Sequence, residues 1–152
     1  MTTDTGHFEM TRTLPLTPER LWHLLTDASM RERWGAPSEG TVLTVEASDL
    51  RVGGSDRHRC GPADAPEFTV DTRWYRIDAP HDAAFTETVH VGDDTIATTL
   101  VTYRVTATDN GSRLDVAVAV SSFVGPDADG EFEAGWTAGL SNLAALANEM
   151  AA

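Results

Sequence analysis

The C-terminal segment places the strongest constraint on how this chain can fold. Over residues 129–150, Phe132, Trp136, Leu140, Leu143, Ala147 and Met150 recur at spacings of three and four. That spacing sets them in one apolar stripe along a helix of about five turns. Glu131 and Glu133 favour its positive end, and Asp127 or Asp129 supplies the cap. Gly135 and Gly139 sit beside the stripe, where small residues let a helix lie close against a surface. In a bilayer such a glycine pair can mark a helix dimer, but this helix is amphipathic and too polar for that setting. A stripe of this length has to be covered, and the segments available to cover it are mostly strand-like.

A first strand is expected over residues 6–14. Thr17 then caps a helix with Pro18 at its first position, where a missing N–H costs nothing. Leu21, Leu24 and Leu25 form that helix's apolar face, flanked by Trp22. A second short helix is expected over 29–34, closed by Pro37. Short strands follow over 41–45 and 50–56, the latter broken by Gly53-Gly54, which marks a bulge or a close backbone approach. Residues 60–67, with Pro62 and Pro66, read as a loop. Residues 68–78 form a long strand whose alternation changes phase, so a bulge is expected near Trp74. Pro80 turns the chain into a strand over 83–91, and Gly92-Asp93-Asp94 turns it into another over 95–108. Asn110-Gly111 is a two-residue hairpin signal, since both positions tolerate positive φ. The strand after it, 112–123, alternates strictly through Leu114, Val116, Val118 and Val120.

Consecutive antiparallel strands with one terminal amphipathic helix must bury that helix on one face of the sheet. The expected fold is therefore α+β: a curved antiparallel sheet of six or seven strands wrapped around a long C-terminal helix, with two short helices after the first strand. Residues 1–152 are expected to form a single domain, a length sufficient for one core. This is the helix-grip arrangement, and a long helix across a curled sheet leaves an apolar pocket between them.

Composition narrows the partners. The chain carries 11 basic residues, all arginine, against 24 acidic ones, for a formal charge of −13. A surface this acidic repels phosphate, so neither nucleic acid nor an anionic membrane is an expected partner. The one dense basic stretch, Arg51 to Arg59, is interrupted by Asp56. Cys60 is the sole cysteine, which excludes an intrachain disulfide and fits a reducing cytoplasm. Residues 1–8 are polar, so no signal peptide is expected, and no stretch approaches the roughly 20 apolar residues of a membrane helix. Asn110-Gly111-Ser112 has the form of a glycosylation sequon but reads as a turn in this context.

Catalytic signatures are sparse. The sequence holds no nucleophile elbow, phosphate loop or dinucleotide fingerprint. None of His7, His23, His58, His81 and His90 forms an i, i+4 pair suited to zinc. His58 and Cys60 share a strand face if that strand continues, but two ligands do not make a site, and no metal or cofactor is expected. Glu87 stands out. Phe85, Glu87 and Val89 share one face of a period-2 strand, so the carboxyl points into the pocket if that face is concave. There burial would raise its pKa and suit it to proton transfer or to orienting a ligand. The alternative places Glu87 at the rim or pairs it with an arginine such as Arg104. Trp34, Trp74 and Trp136 either line the pocket or fill the core. Tyr103 either sends its hydroxyl into the cavity or satisfies a backbone carbonyl. By alternation, the expected pocket lining is Phe85, Val101, Tyr103, Val116 and Val118 on strands and Trp136, Leu140 and Leu143 on the last helix. Trp34 lies near its mouth, Trp74 is counted among the ligand-binding residues, and Glu87 is its main acid.

Four stretches carry a family resemblance. They are Thr17-Pro18-Glu19-Arg20-Leu21-Trp22 with Leu25-Thr26-Asp27 and Trp34; Arg51-Val52-Gly53-Gly54; Phe85-Thr86-Glu87; and Gly135-Trp136 with Leu140 and Leu143. In this order they resemble the START-like, or SRPBCC, superfamily, in the branch named after the Aha-type activator of the Hsp chaperone ATPase. The resemblance implies the helix-grip fold. It leaves the activity open, because the superfamily includes lipid carriers, hormone receptors, polyketide cyclases, drug-sequestering proteins and cochaperone domains. The leading expectation is a non-catalytic module that holds a small hydrophobic or aromatic molecule. The alternative is a cyclase- or dehydratase-like enzyme in which Glu87, His90 or Tyr103 moves protons. A cochaperone-like interaction domain with a chaperone partner ranks third, because those cochaperones carry an additional N-terminal domain for which this chain has no room. A homodimer is compatible with all three.

Overall fold

The computed structural model describes residues 3–36, 39–126 and 128–152. In chain order the elements are β1 (Asp4–Leu14), α1 (Pro18–Thr26), α2 (Ala28–Trp34), β2 (Thr41–Ala47), β3 (Ser55–Pro62), β4 (Phe68–Asp78), β5 (Asp82–Val91), β6 (Asp94–Thr108), β7 (Gly111–Ser122) and α3 (Ala128–Ala151). The strands form one seven-stranded sheet in the order β1-β7-β6-β5-β4-β3-β2. Every neighbouring pair is antiparallel. Strands β2 to β7 follow one another as a meander, while β1 pairs with β7 at the far edge. The link from β1 to β2 must cross from one edge of the sheet to the other, and α1 and α2 make that crossing. With α3 packed on the sheet, this is the α+β helix-grip fold.

Local chemistry sets the helix starts. The Thr17 side chain accepts from the Arg20 N–H at 3.3 Å, with Pro18 at the first helical position. Asp27 closes α1 and caps α2, its carboxylate accepting from the Met30 N–H at 3.1 Å. Leu21, Leu24 and Leu25 of α1 are buried, and so is Trp22. Asp129 lies in the first turn of α3 instead of capping it, and the expected cap Asp127 and the closing Pro37 lie outside the described residues.

Three strand boundaries differ from expectation, each for a backbone reason. First, residues 50–54 form a turn, and β3 begins at Ser55 and runs through Cys60 to Pro62. The glycine pair lies against β4: Gly53 N–H donates to the Trp74 carbonyl at 2.8 Å, and Trp74 N–H donates to the Gly54 carbonyl at 3.1 Å. Gly53 takes a φ of +83°, and a Cβ on Gly54 would run into the Asp49 carbonyl oxygen. The pair is thus a close backbone approach. Second, the loop expected over 60–67 begins only after Pro62. Third, the β6–β7 hairpin closes through Asp109-Asn110, because Thr108 pairs with Gly111. Gly111 is needed for another reason: a Cβ there would meet the Leu14 carbonyl oxygen. The bulge in β4 falls where the phase change placed it, between Trp74 and Arg76. It turns Trp74 into the core while Tyr75 faces solvent.

The core lies between the concave face and the helices. Leu140, Leu143, Leu146 and Ala147 of α3 pack with Leu114, Val116 and Val118 of β7 and Val101 and Val105 of β6. Along α3, burial is uneven: these four residues are covered, whereas Phe132 and Trp136 are only partly so.

Candidate functional site

The first half of α3 is only partly buried against the sheet. Between it, α2 and the strands β3 to β6 lies a pocket of about 340 Å³. Phe85, Glu87 and Val89 of β5 form its floor, flanked by Phe68 and Val70 of β4, His58 and Cys60 of β3, and Tyr103 of β6. Arg31 and Trp34 of α2 and Phe132, Gly135 and Trp136 of α3 close it from above. The aromatic rings form a chain from the core to the mouth. Trp74 lies 4.8 Å from Phe85, Phe85 5.2 Å from Tyr103, and Tyr103 6.1 Å from Trp136, all tilted or edge-on. Trp34 is fixed by its indole N–H, which donates to the Leu24 carbonyl at 2.8 Å. Asn142 ties α3 to the end of α2, donating to the carbonyls of Trp34 at 3.2 Å and Ala36 at 2.8 Å.

A polar row crosses this apolar floor. Register places Asp56, Thr72, Glu87 and Thr99 side by side on β3, β4, β5 and β6. Asp56 is neutralised: its carboxylate sits 3.0 Å from the Arg31 guanidinium and also accepts from the Asp49 N–H at 2.8 Å. Glu87 has no such neutralisation. Among the described residues no hydrogen bond or ion pair reaches its carboxyl. Glu87 itself is half-buried, whereas the hydroxyls of Thr72 and Thr99, the indole N–H of Trp74 and Nδ1 of His58 are buried and unpartnered among the described residues. Buried polar atoms in nearly all folded proteins are satisfied by protein or by ordered water.

Burial decides the protonation of the whole set. It pushes the Glu87 carboxyl up, with the Arg31 charge pulling the other way. It raises the Tyr103 hydroxyl, helped by the Glu87 charge. It raises the Cys60 thiol to about 11, again helped by Glu87, so Cys60 carries no thiolate at neutral pH. It lowers His58 to about 3, aided by Arg31 and opposed by Asp71, so the ring stays neutral. The site can therefore exchange hydrogen bonds and protons through Glu87 but holds no activated nucleophile. His58 and Cys60 do share the concave face. Among the described residues, however, no three His, Cys, Asp or Glu groups lie close enough to hold a metal ion.

Residues 15–148 match the family model described as Activator of Hsp90 ATPase homolog 1-like protein. The chain belongs to that family. Solved structures agree on the fold. A protein of Rhizobium leguminosarum superposes with a TM-score of 0.84 at 18% identity, covering 97% of each chain. One from Rhizobium loti gives 0.82 at 26% identity, over 95% of this chain and 99% of that one. One from Chromobacterium violaceum gives 0.80 at 22%, over 93% and 96%. No curated protein matches the chain.

Within this Hsp90-activator-homologue fold, Trp34, Phe85, Glu87, Tyr103 and Trp136 come together around the pocket. The other expected lining residues do not. Trp74, Val101, Val116, Val118, Leu140 and Leu143 are core residues, each at most 1% exposed. Strand alternation identified their face correctly but not their position along it. The C-terminal half of α3 covers that end of the concave face and leaves no space there. His90 is displaced too: it lies on the opposite face of β5, hydrogen-bonded to Asp71 at 3.1 Å and to Thr95 at 3.0 Å. Arg104 is exposed and away from Glu87, so that pairing is absent. Sequence reasoning missed Arg31, Val70, Val89 and Phe132 as lining residues. Phe132 was visible in the stripe, and Val89 shares the face of Glu87. Arg31 carries no local signal, since its partner Asp56 is 25 positions away.

Proposed function

We propose that this chain is a binding protein for a small hydrophobic or aromatic molecule, held between the sheet and the first half of α3. One observation carries the reading. The concave face is packed at one end, whereas at the other about 340 Å³ is walled by aromatic side chains around the Glu87 carboxyl. Burial of apolar surface supplies affinity, and the polar row supplies orientation. Trp34 and Trp136 flank the space, so an occupant reports itself by tryptophan fluorescence. A naphthalene-sized probe such as 1-naphthylmethanol should quench that emission with one-site saturation. Trp136→Ala should weaken the binding with the fold intact by circular dichroism. Absence of saturable quenching at any accessible concentration removes the reading.

A second reading has its own support. Glu87, Tyr103 and His58 converge on one pocket, and a buried acid beside a tyrosine is a proton-transfer arrangement. In a cyclase- or dehydratase-like enzyme, Glu87 would take or give the proton while Tyr103 orients a carbonyl. Turnover of a polyketide-like substrate that is lost in both Glu87→Gln and Tyr103→Phe would favour it over simple binding.

A further inference from the structure

A neutral apolar guest would leave the floor of the pocket unused. Glu87 stands at the centre of that floor, its register neighbours Thr72 and Thr99 both carrying buried, unpartnered hydroxyls. No hydrogen bond or ion pair from the described residues meets its carboxyl. The positive charge nearest to it is already engaged. Arg31 gives its guanidinium to Asp56 at 3.0 Å, with both side chains nearly covered, and although its charge still reaches Glu87 it makes no ion pair with that carboxyl. The other lining base, His58, is kept neutral by burial. A second carboxyl, Glu131, lines the mouth from α3. Around these acids stand the faces and edges of Trp34, Phe85, Tyr103 and Trp136. Aromatic faces attract a cation through the ring quadrupole, more strongly where water is excluded. The whole chain, at −13, draws cations toward it and repels anions.

We propose that the pocket takes a hydrophobic organic cation: an ammonium group borne on a flat apolar body, the ammonium seated on the Glu87 carboxylate and the body among the aromatic rings. The proposal rests on the reading of the pocket as a ligand site and adds the sign of the ligand's charge. In the empty pocket burial favours the protonated carboxyl. An entering ammonium compensates the buried charge, so the proton leaves as the cation binds. The titratable groups that share the pocket with Glu87 are Arg31 from α2, His58 and Cys60 from β3, Tyr103 from β6 and Glu131 from α3, with Asp56 two strands away in the same row. Arg31 and Asp56 hold each other, and burial keeps His58, Cys60 and Tyr103 neutral at neutral pH. Affinity for the cation should therefore fall on acidification as Glu87 takes up its proton, while affinity for a neutral ligand stays flat.

Three probes of nearly equal shape test the idea by calorimetry: 1-naphthylmethylamine, 1-naphthylmethanol and 1-naphthylacetate. The amine should bind wild-type protein at least about tenfold more tightly than the alcohol, a difference of about 1.4 kcal/mol, and the acetate should bind least. In Glu87→Gln the amine's advantage should collapse while the alcohol binds as before, which also shows that the variant is folded. In Glu149→Gln, an exposed acid of α3 outside the pocket lining, the advantage should survive. Between pH 8 and pH 5, the amine's affinity for wild-type protein should drop and that of the alcohol should not. Equal binding of amine and alcohol, tightest binding by the acetate, or a preference that persists in Glu87→Gln would each overturn the proposal while leaving a ligand pocket in place. Failure of all three probes to bind would remove the pocket reading and the proposal together.

Discussion

An ionised Glu87 has to hold its charge beside Phe85 and Tyr103 with no hydrogen-bonding partner among the described residues. Its folded-state pKa is raised above the ordinary carboxylate value of 4.5. The sign of its effect on stability follows by linkage. Below the unfolded pKa both states are protonated and the group costs nothing. As pH rises the unfolded chain ionises first, and the folded state loses stability until its own pKa is passed. Glu87→Gln should therefore raise the urea midpoint at pH 7.5 and leave it nearly unchanged at pH 4. Equal midpoints for variant and wild type at pH 7.5 would show that the carboxylate is better solvated than its surroundings imply. His58 works in the opposite pH direction. Its folded pKa, about 3, lies below the ordinary 6.5, so its contribution is present above pH 6.5 and lost as pH falls toward 3. Asp56 is different again, since Arg31 already pays for its burial. Removing one partner of such a pair typically costs about 3–5 kcal/mol. Neither that pair nor the isolation of Glu87 could be read from local pattern, because both depend on which residues meet across the sheet.

At the scale of the element, α3 is one helix with two tasks. Its apolar stripe is continuous in sequence, yet only Leu140, Leu143, Leu146 and Ala147 are fully buried in the core, while Phe132, Trp136, Ala144 and Met150 pack against it partly buried. Leu140→Ala should cost about 2–5 kcal/mol, since it deletes buried methyl groups and leaves a cavity. Phe132→Ala should cost much less despite the larger side chain, because that ring is only partly buried. Comparable losses in chemical denaturation would mean that the first half of α3 is core as well. Periodicity reports which face of a helix is apolar. It does not report what lies opposite each turn, and that is why the lining expected at Leu140 and Leu143 proved to be packing. The hairpin teaches a similar lesson. Asn110-Gly111 pointed to the correct turn but the loop is Asp109-Asn110, and Gly111 answers to the Leu14 carbonyl instead. Gly111→Ala should therefore destabilise clearly, although alanine is no β-branched residue. A wild-type melting temperature for Gly111→Ala would contradict this packing of the segment after β1 against the start of β7.

At the scale of the whole molecule, the fold was legible because each level of the sequence agreed: the cap at Thr17, alternation along β5 to β7, and a terminal apolar stripe that needed a sheet face to cover it. The position of the pocket was less legible because it depends on how far α3 reaches across that sheet. Gly135 makes the point. An interior helical glycine costs about 1 kcal/mol relative to alanine, and a Cβ at Gly135 would meet no atom within 4 Å. Gly139, one turn on, differs, since a Cβ there would rest 3.8 Å from the Trp34 ring. Gly135 therefore serves no close helix contact, and its missing side chain contributes to the space it lines. Stability and occupancy should separate at this position. Gly135→Leu should raise the melting temperature through better helix propensity, because its Cβ would meet no atom within 4 Å. The same leucine would project into the pocket beside Trp136 and should abolish the binding of 1-naphthylmethanol. A stabilised variant that still binds the probe as wild type does would place the ligand elsewhere on the molecule. A variant that loses both stability and binding would mean that α3 meets the sheet at Gly135 more closely than the packing described above allows.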